Sequence, residues 1–446
     1  MGKSQPVWRI VWLAGLIVTT PAAWAGLLLA IYDQATQQAP ALLAATQERE
    51  AALAQAGIAR AGLLPQVGIE GGYGRLRVDT TDTQSPFIQE QRLLGNVTDA
   101  GVRLVQPVLD LAAWERWAQY KQTQARAELN YLVANQQMIL EVAQRYVLWL
   151  EAVVALDYAV AHLQAMDQQR DQFASRLELG LATAAELALV EAERDAAAAD
   201  EITAAAALRS AREGIRELLG RVPDVPTRFA SPIPADNPQP ASPEPWVEQA
   251  LEANPVVAEA TIARDLAQSE LRERKRSLWP KLRLEAEHAY SDTSEFQLGR
   301  EAQNSRIELR LGVPVFDGGA TLAKVRVADH VLGQRDAELL AARREAERAT
   351  RDAYDGVVTG VVQLSASRRA LRSAQAAVDA QDGRYRSGLA TLADQLAVRG
   401  QERKALSDLA KARHRYLLSR LRLAAAVGSL GRADLAAVDA LLQPRR

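Results

Sequence analysis

The sequence predicts a mainly α-helical chain with a transmembrane β part: one architecture written twice, very long coiled helices, and four strands that close a barrel only when shared between copies of the chain. Three observations carry that expectation. The stretch RLELGLATAAELAL, from Arg176 to Leu189, returns about 208 residues later as RYRSGLATLADQLA, from Arg384 to Ala397. Two pairs of short segments alternate apolar and polar residues with period two. Two proline-free stretches, about 67 residues each, repeat apolar side chains every seven positions.

The first 25 residues are read as a signal peptide. Lys3 and Arg9 precede the apolar run IVWLAGLIV, and Ala23-Trp24-Ala25 has the small-residue spacing that signal peptidase cuts. An uncleaved anchor is the alternative, and the shortness of the run and Pro21 stand against it. Without this segment the chain carries a net charge of about −4, and no basic stripe suggests nucleic acid. Cysteine is absent, so an exported chain relies on packing alone. At 446 residues and 48% apolar, the core can be large.

The repeat divides the rest into 26–220, a proline-dense linker at 221–245, a second copy at 246–430 and a tail at 431–446. Ala39-Pro40 precedes Leu64-Pro65 by the same interval as Asn254-Pro255 precedes Trp279-Pro280. Residues 30–64 and 246–278, rich in Ala, Leu, Glu and Arg, are expected to be helices that Pro65 and Pro280 end. Strands follow. Lys281 to Tyr290 sets Leu282, Leu284 and Ala286 against Arg283, Glu285 and Glu287, and Arg306 to Val315 sets Ile307, Leu309 and Leu311 against Arg306, Glu308 and Arg310. The first copy is weaker but parallel, with Val67, Ile69 and Tyr73, then Ala100, Val102 and Leu104.

Polar loops are expected over Asp79 to Gly95 and Ser291 to Asn304. Pro107 and Pro314 are expected to stop the return strands, and Asp110 and Asp317 to cap the next helices. Those helices, about 111–177 and 318–385, would each reach about 100 Å. Their seven-residue series are Trp149, Leu156, Leu163, Arg170, Leu177 and Val357, Leu364, Leu371, Val378, Tyr385, the spacing of a coiled coil.

Strands of about ten residues suit a tilted crossing of a bilayer. Four cannot close a barrel there, because lipid tolerates no free edge and barrels begin at about eight strands. Two copies would give a filled interior; three give twelve strands and a lumen, which favours a trimer. The alternative is a soluble protein whose hairpins pack on its own helices, leaving the charged strand faces to solvent.

Gly180 and Gly388 are placed to end helices in the left-handed conformation, and Thr183–Glu186 and Thr391–Asp394 have the spacing of capping boxes. Capping alone would account for the repeated motif. Taken together, a cleaved signal, Leu-Leu-Pro and Leu-Trp-Pro before strands, QPVLD and VPVFD after them, and the two Gly-Leu-Ala-Thr turns resemble the TolC family of outer-membrane efflux ducts over nearly all of residues 27–430.

The resemblance implies a homotrimer in the Gram-negative outer membrane, with a twelve-stranded barrel in lipid and a helical tunnel in the periplasm. Its tip would face a periplasmic adaptor (membrane fusion) protein and an inner-membrane pump of RND or ABC type. By the same resemblance Asp394 stands at the pore constriction, and Glu186 and Tyr385 make closed-state contacts. The turns Gly180, Leu181, Ala182, Thr183 and Gly388, Leu389, Ala390, Thr391 would dock the adaptor. The chain departs from the family at Ala397, where better-studied members carry a second acid, and at Ala390, where they carry an arginine.

The expected function is an exit duct that opens like an iris at its periplasmic tip. A periplasmic coiled-coil scaffold without a barrel, and a duct dedicated to type I protein secretion, are the alternatives. No enzyme, cofactor or metal site is expected. His162, His288, His330 and His414 lie far apart without ligand spacing, and the glycines at 68, 71, 72 and 74 lie in a strand pattern rather than before a helix, so they read as close packing at a barrel wall instead of a phosphate loop.

Overall fold

The computed structural model describes residues 26–80, 91–222, 228–229, 233–293 and 301–443. The segment expected to be a signal peptide and the tips of both hairpins lie outside them. In chain order the elements are α1 (Leu27–Gln38), α2 (Pro40–Ala61), β1 (Gln66–Thr80), β2 (Gln91–Leu109), α3 (Leu111–Glu178), α4 (Ala184–Leu219) and β3 (Arg228–Phe229). There follow α5 (Glu244–Ala253), α6 (Pro255–Arg276), β4 (Lys281–Asp292), β5 (Glu301–Gly312), α7 (Ala320–Arg386), α8 (Leu392–Ala426), α9 (Arg432–Asp439) and β6 (Leu442–Gln443).

Each helix expected over 30–64 and 246–278 is in fact two. Pro40 and Pro255 take the first helical position, where no amide is needed, and the residue before each is extended. Asn254 adds a cap, its Oδ1 accepting from Val256 N at 2.8 Å.

The four long strands form one antiparallel sheet in the order β1-β2-β4-β5, with β1 and β5 as its edges. The strands run further than the polar residues suggested: Leu76 pairs with Gly95 and Thr80 with Gln91, inside the expected loop. A ladder needs neighbouring backbone, not apolar side chains. Pro107 likewise does not stop β2. It stands opposite Arg283 and the register shifts between Pro107 and Leu109, so the strand absorbs its missing donor in a bulge. Asp110 caps α3 as expected, accepting from Ala113 N at 3.0 Å. Asp317 does not occupy the equivalent place. Gly318 and Gly319, at φ 69° and 85°, insert a left-handed turn, and Gly319 becomes the cap while Asp317 accepts from Thr321 N at 2.9 Å.

Register sorts the sheet into two faces. The row Val67, Leu104, Ala286, Ile307 crosses all four strands on one side, and the row Gly68, Arg103, Glu287, Arg306 crosses on the other. The apolar side is uncovered: Ile69 is 83% exposed, Ile307 79% and Leu309 62%. This overturns the arrangement in which the hairpins pack on their own helices. On the charged side Glu285 is buried beneath Arg103 at 3.3 Å, Arg310 at 3.7 Å and Arg283 at 3.9 Å. Of the β1 glycines expected to pack closely, a Cβ on Gly68 or Gly74 would meet nothing within 4 Å, and one on Gly71 or Gly72 would come no nearer than 3.9 and 3.8 Å to Asp99. Trp279 and Phe316 stand exposed where the sheet meets the helices, and Tyr73 midway along β1. From Trp279 to Tyr290 the strand rises about 36 Å, or about 28 Å once tilted, close to the ~25 Å apolar band of outer-membrane barrels.

α3 and α7, of 68 and 67 residues, run about 100 Å away from the sheet. α4 and α8 return along them. At the sheet's base two buried carboxylates lock the repeats together. Glu115 of α3 takes Arg272 and Arg276 of α6 at 2.7 and 2.5 Å, and Glu273 of α6 takes Arg116 of α3 at 3.0 Å.

The main core lies halfway down the helices. Tyr146, Trp149, Val357, Leu364 and Leu417 meet Leu28 and Ile31 of α1, Ile215 of α4 and Leu435 of α9. Trp149, Val357 and Leu364 belong to the seven-residue series, which therefore does mark the coiled seam. Leu111–Glu178 holds a stretch long and apolar enough to cross a membrane by composition, 28% of it buried within the chain; Ile139, Tyr146, Trp149 and Leu150 of the same helix belong to this belt. The segment from residue 233 is extended and anchored here, with Ile233 fully buried, its carbonyl bonded by Arg368, and the Asp236 amide donating to the Tyr416 hydroxyl at 3.1 Å. β3 pairs with β6, so the chain's last described residues close over the same belt.

Candidate functional site: the helical tip

Both Gly-Leu-Ala-Thr turns lie at the end of the helices far from the sheet, and they are built alike. Gly180 and Gly388 adopt φ 70° and 71°. Gly180 N bonds Leu177 O at 3.0 Å and Leu181 N bonds Arg176 O at 2.8 Å; Gly388 and Leu389 repeat this on Tyr385 and Arg384 at 3.0 and 2.9 Å. These are Schellman ends, which only a residue at ease with positive φ closes without strain. Capping boxes start the return helices. Thr183 N donates to Glu186 Oε2 at 2.8 Å while Glu186 N donates to Thr183 Oγ1 at 3.2 Å; Thr391 and Asp394 repeat it at 3.0 and 3.2 Å.

The boxes hold both carboxyls below their ordinary values. The amide and then the hydroxyl of Thr183 act on Glu186, and the hydroxyl and then the amide of Thr391 act on Asp394. A carboxyl lowered by folding stabilises above its unfolded pKa, and that contribution is lost as pH falls through the folded value. Acidification below about pH 4.5 at Glu186 and about 3.8 at Asp394 is therefore expected to fray the first turns of α4 and α8. Hydrogen exchange of the Thr183 and Thr391 amides, corrected for intrinsic rate, checks this, and Asp394→Asn should remove the pH step from α8 alone.

Within the turns, Leu181 and Leu389 are 74% and 71% exposed, one apolar side chain at the apex of each helix pair. Ala182 and Ala390 are half-buried and Thr183 and Thr391 exposed. Asp394 is exposed and uses one oxygen, Oδ2, for its cap, accepting the Thr391 hydroxyl at 2.7 Å. Tyr385 and Glu186 are not joined within the chain: Glu186 is occupied by Thr183, and Tyr385 packs against a second apolar cluster. That cluster joins the two helix pairs. Leu392 and Leu396 of α8 bury themselves against Met166 and Phe173 of α3 and Val190 and Ala197 of α4.

Sequence reasoning missed an ionic node just above this cluster. Arg403 of α8 bonds Glu193 of α4 at 2.9 Å, and His162 of α3 brings Nε2 to 3.7 Å from the same carboxylate. Burial, and then the charge of Arg403, lowers the His162 pKa, so the imidazole is held neutral beside the pair. Arg403 thus bridges the helix pairs, whereas Arg194–Asp167 at 2.9 Å and Arg399–Asp382 at 3.1 Å each hold one pair together. A signal was available: at the repeat's spacing Glu191 and Asp195 correspond to Arg399 and Arg403, so equivalent heights carry opposite charges. Among the described residues no group of three or more metal-type side chains gathers.

The profile of the family described as outer membrane efflux protein matches residues 31–221 and 246–429. The chain is 26% identical to the outer membrane protein TolC of Escherichia coli over 431 residues, covering 94% of this chain and 85% of that protein. It is 27% identical to the alkaline protease secretion protein AprF of Pseudomonas aeruginosa, over 97% and 91% of the two chains. Its fold is similar to the crystal structure of the Campylobacter jejuni CmeC outer membrane channel, with a TM-score of 0.76, 17% identity, and 91% and 86% of the chains covered.

Proposed function

The chain belongs to the outer membrane efflux protein family, a family of outer-membrane channels, and from that membership we propose that three copies form one exit duct through the outer membrane. Twelve strands close the barrel, and the helices form a tunnel that hangs into the periplasm. One observation carries this reading: a four-stranded sheet with two open edges and an uncovered apolar face continues into helices of about 100 Å. The charged face, with Glu285 under its arginines, then lines a wet lumen.

The duct receives its cargo at the tip from an inner-membrane pump, of RND or ABC type, through a periplasmic adaptor. Leu181 and Leu389, exposed on turns fixed by two caps each, suit the apolar docking of adaptor hairpins. Opening moves α7 and α8 outward from α3 and α4, a change between two packings of the cluster around Leu392. Asp394 narrows the entrance, and three copies give it an acidic ring. Reconstituted in planar bilayers, the protein is expected to prefer cations, and Asp394→Asn to reduce that preference, because a ring of three negative charges in a narrow pore attracts cations. Unchanged selectivity would remove Asp394 from the constriction.

A duct dedicated to type I protein secretion is the second reading. The likeness to AprF, a protein named for alkaline protease secretion, favours it. Restoring either protease release or drug tolerance to a host that lacks its own duct separates the two.

A further inference from the structure

The N-terminus of α1 meets a buried acid that its neighbours satisfy only in part. Asp439, the last residue of α9, is 5% exposed. The amides of Leu29, Leu28 and Gly26 surround its carboxylate. The approach is so close that a Cβ on Gly26 would fall 2.1 Å from Oδ2 and would have to displace the carboxylate. Even so, Oδ1 is buried without a hydrogen-bond partner among the described residues, and burial raises the carboxyl's pKa. Polar groups of α1 and α9 are otherwise committed: Arg432 bonds Asp33 at 2.7 and 3.0 Å, and the Tyr32 hydroxyl donates to Asn135 at 2.9 Å.

Gly26 is also the residue that follows Ala23-Trp24-Ala25, the expected cleavage point. We propose that removal of the leader after Ala25 completes this site: the new α-ammonium of Gly26 pairs with the Asp439 carboxylate, and processing thereby fastens α1 to α9. Water supplies the cleavage. The Ala25–Gly26 bond breaks, Ala25 departs with the carboxylate, and the amine on Gly26 takes up a proton. The nitrogen already faces the carboxylate as an amide; cleavage gives it a full charge and three donors, enough to reach Oδ1. Since Leu28 and Ile31 of α1 belong to the main core, the belt reaches its final packing only in the processed chain. An uncleaved chain would leave a buried carboxyl unpaired, a state that costs stability.

The purified protein in detergent tests this. Mass spectrometry of its N-terminal peptide is expected to begin at Gly26. Under pulsed acetic anhydride the Gly26 amine should react at least tenfold more slowly than in Asp439→Asn. One alanine inserted between Ala25 and Gly26, so that processing leaves it ahead of Gly26, should lower the thermal midpoint about as much as Asp439→Asn. Both changes together should lower it no further. A different first residue, equal reactivity in the two proteins, or additive losses overturn the proposal. If Asp439→Asn does not accumulate, the reactivity of the native amine against that of the same chain unfolded in urea decides the matter. Conductance in bilayers is expected to be unaffected, so the outcome is independent of the duct reading.

Discussion

Leu309→Arg is expected to abolish outer-membrane insertion. Leu309 lies near the middle of the band between Phe316 and the hairpin tip, on the uncovered face of the edge strand β5. An arginine facing lipid at mid-depth costs about 2–4 kcal/mol, so the proposed three-copy barrel would lose about 6–12 kcal/mol. That is comparable with the whole stability of many domains. Membrane fractionation and detection of the folded trimer on unheated gels check it, with Glu308→Gln as the control one residue away on the charged face. The same substitution discriminates against a water-soluble body. There Leu309 is simply a solvated side chain, and replacing it would shift stability by no more than about 0.5 kcal/mol.

Arg403→Glu is expected to raise single-channel conductance several-fold, and Glu193→Arg in the same chain to restore the closed level. Arg403 and Glu193 are 38% and 30% exposed, so the native pair is worth about 0.2–1 kcal/mol. Reversal removes that attraction and adds a repulsion of similar size, together about 0.4–2 kcal/mol per protomer. In the proposed trimer, three protomers opening together give about 1–6 kcal/mol, whose upper end matches the ~5.5 kcal/mol that carries a two-state equilibrium from one extreme to the other. The apolar cluster is the stronger restraint. Leu392 is 3% exposed, and burying one leucine is worth about 1.5–3 kcal/mol. Leu392→Ala is accordingly expected to open the tip more than removal of the Arg403 charge alone, while Arg403→Glu retains the clean reversal by its partner.

Much of this fold was legible because its signals are local. Period-two alternation at Ile307, Leu309 and Leu311 marks a strand, a proline-free heptad series marks a coiled helix, and Gly-x-x-Thr-x-x-acid marks a turn, each from residues that touch within one element. The misreadings have local causes too. Pro107 and the polar residues up to Gly95 look like strand stops, but an antiparallel partner supplies a ladder that side-chain polarity does not report. Asp317 resembles Asp110, but a pair of glycines displaces the helix start. The ionic node of the tip was missed for a different reason. His162, Glu193 and Arg403 come from three helices, and only the packing of one repeat on the other brings them together. The charge exchange between Asp195 and Arg403 hinted at such bridges without saying which carboxylate would answer.

The two margins of the sheet are different strands, β1 and β5, and that asymmetry governs how faults spread. In the proposed trimer each subunit offers its last strand to the first strand of the next, so the ring has no spare seam at which a damaged member can be skipped. A subunit crippled only in β5 would still capture one sound neighbour and then leave the circle unfinished. Produced in equal amounts with the intact chain, it would spare about one ring in eight, so that such an allele would poison its host even with a good copy present.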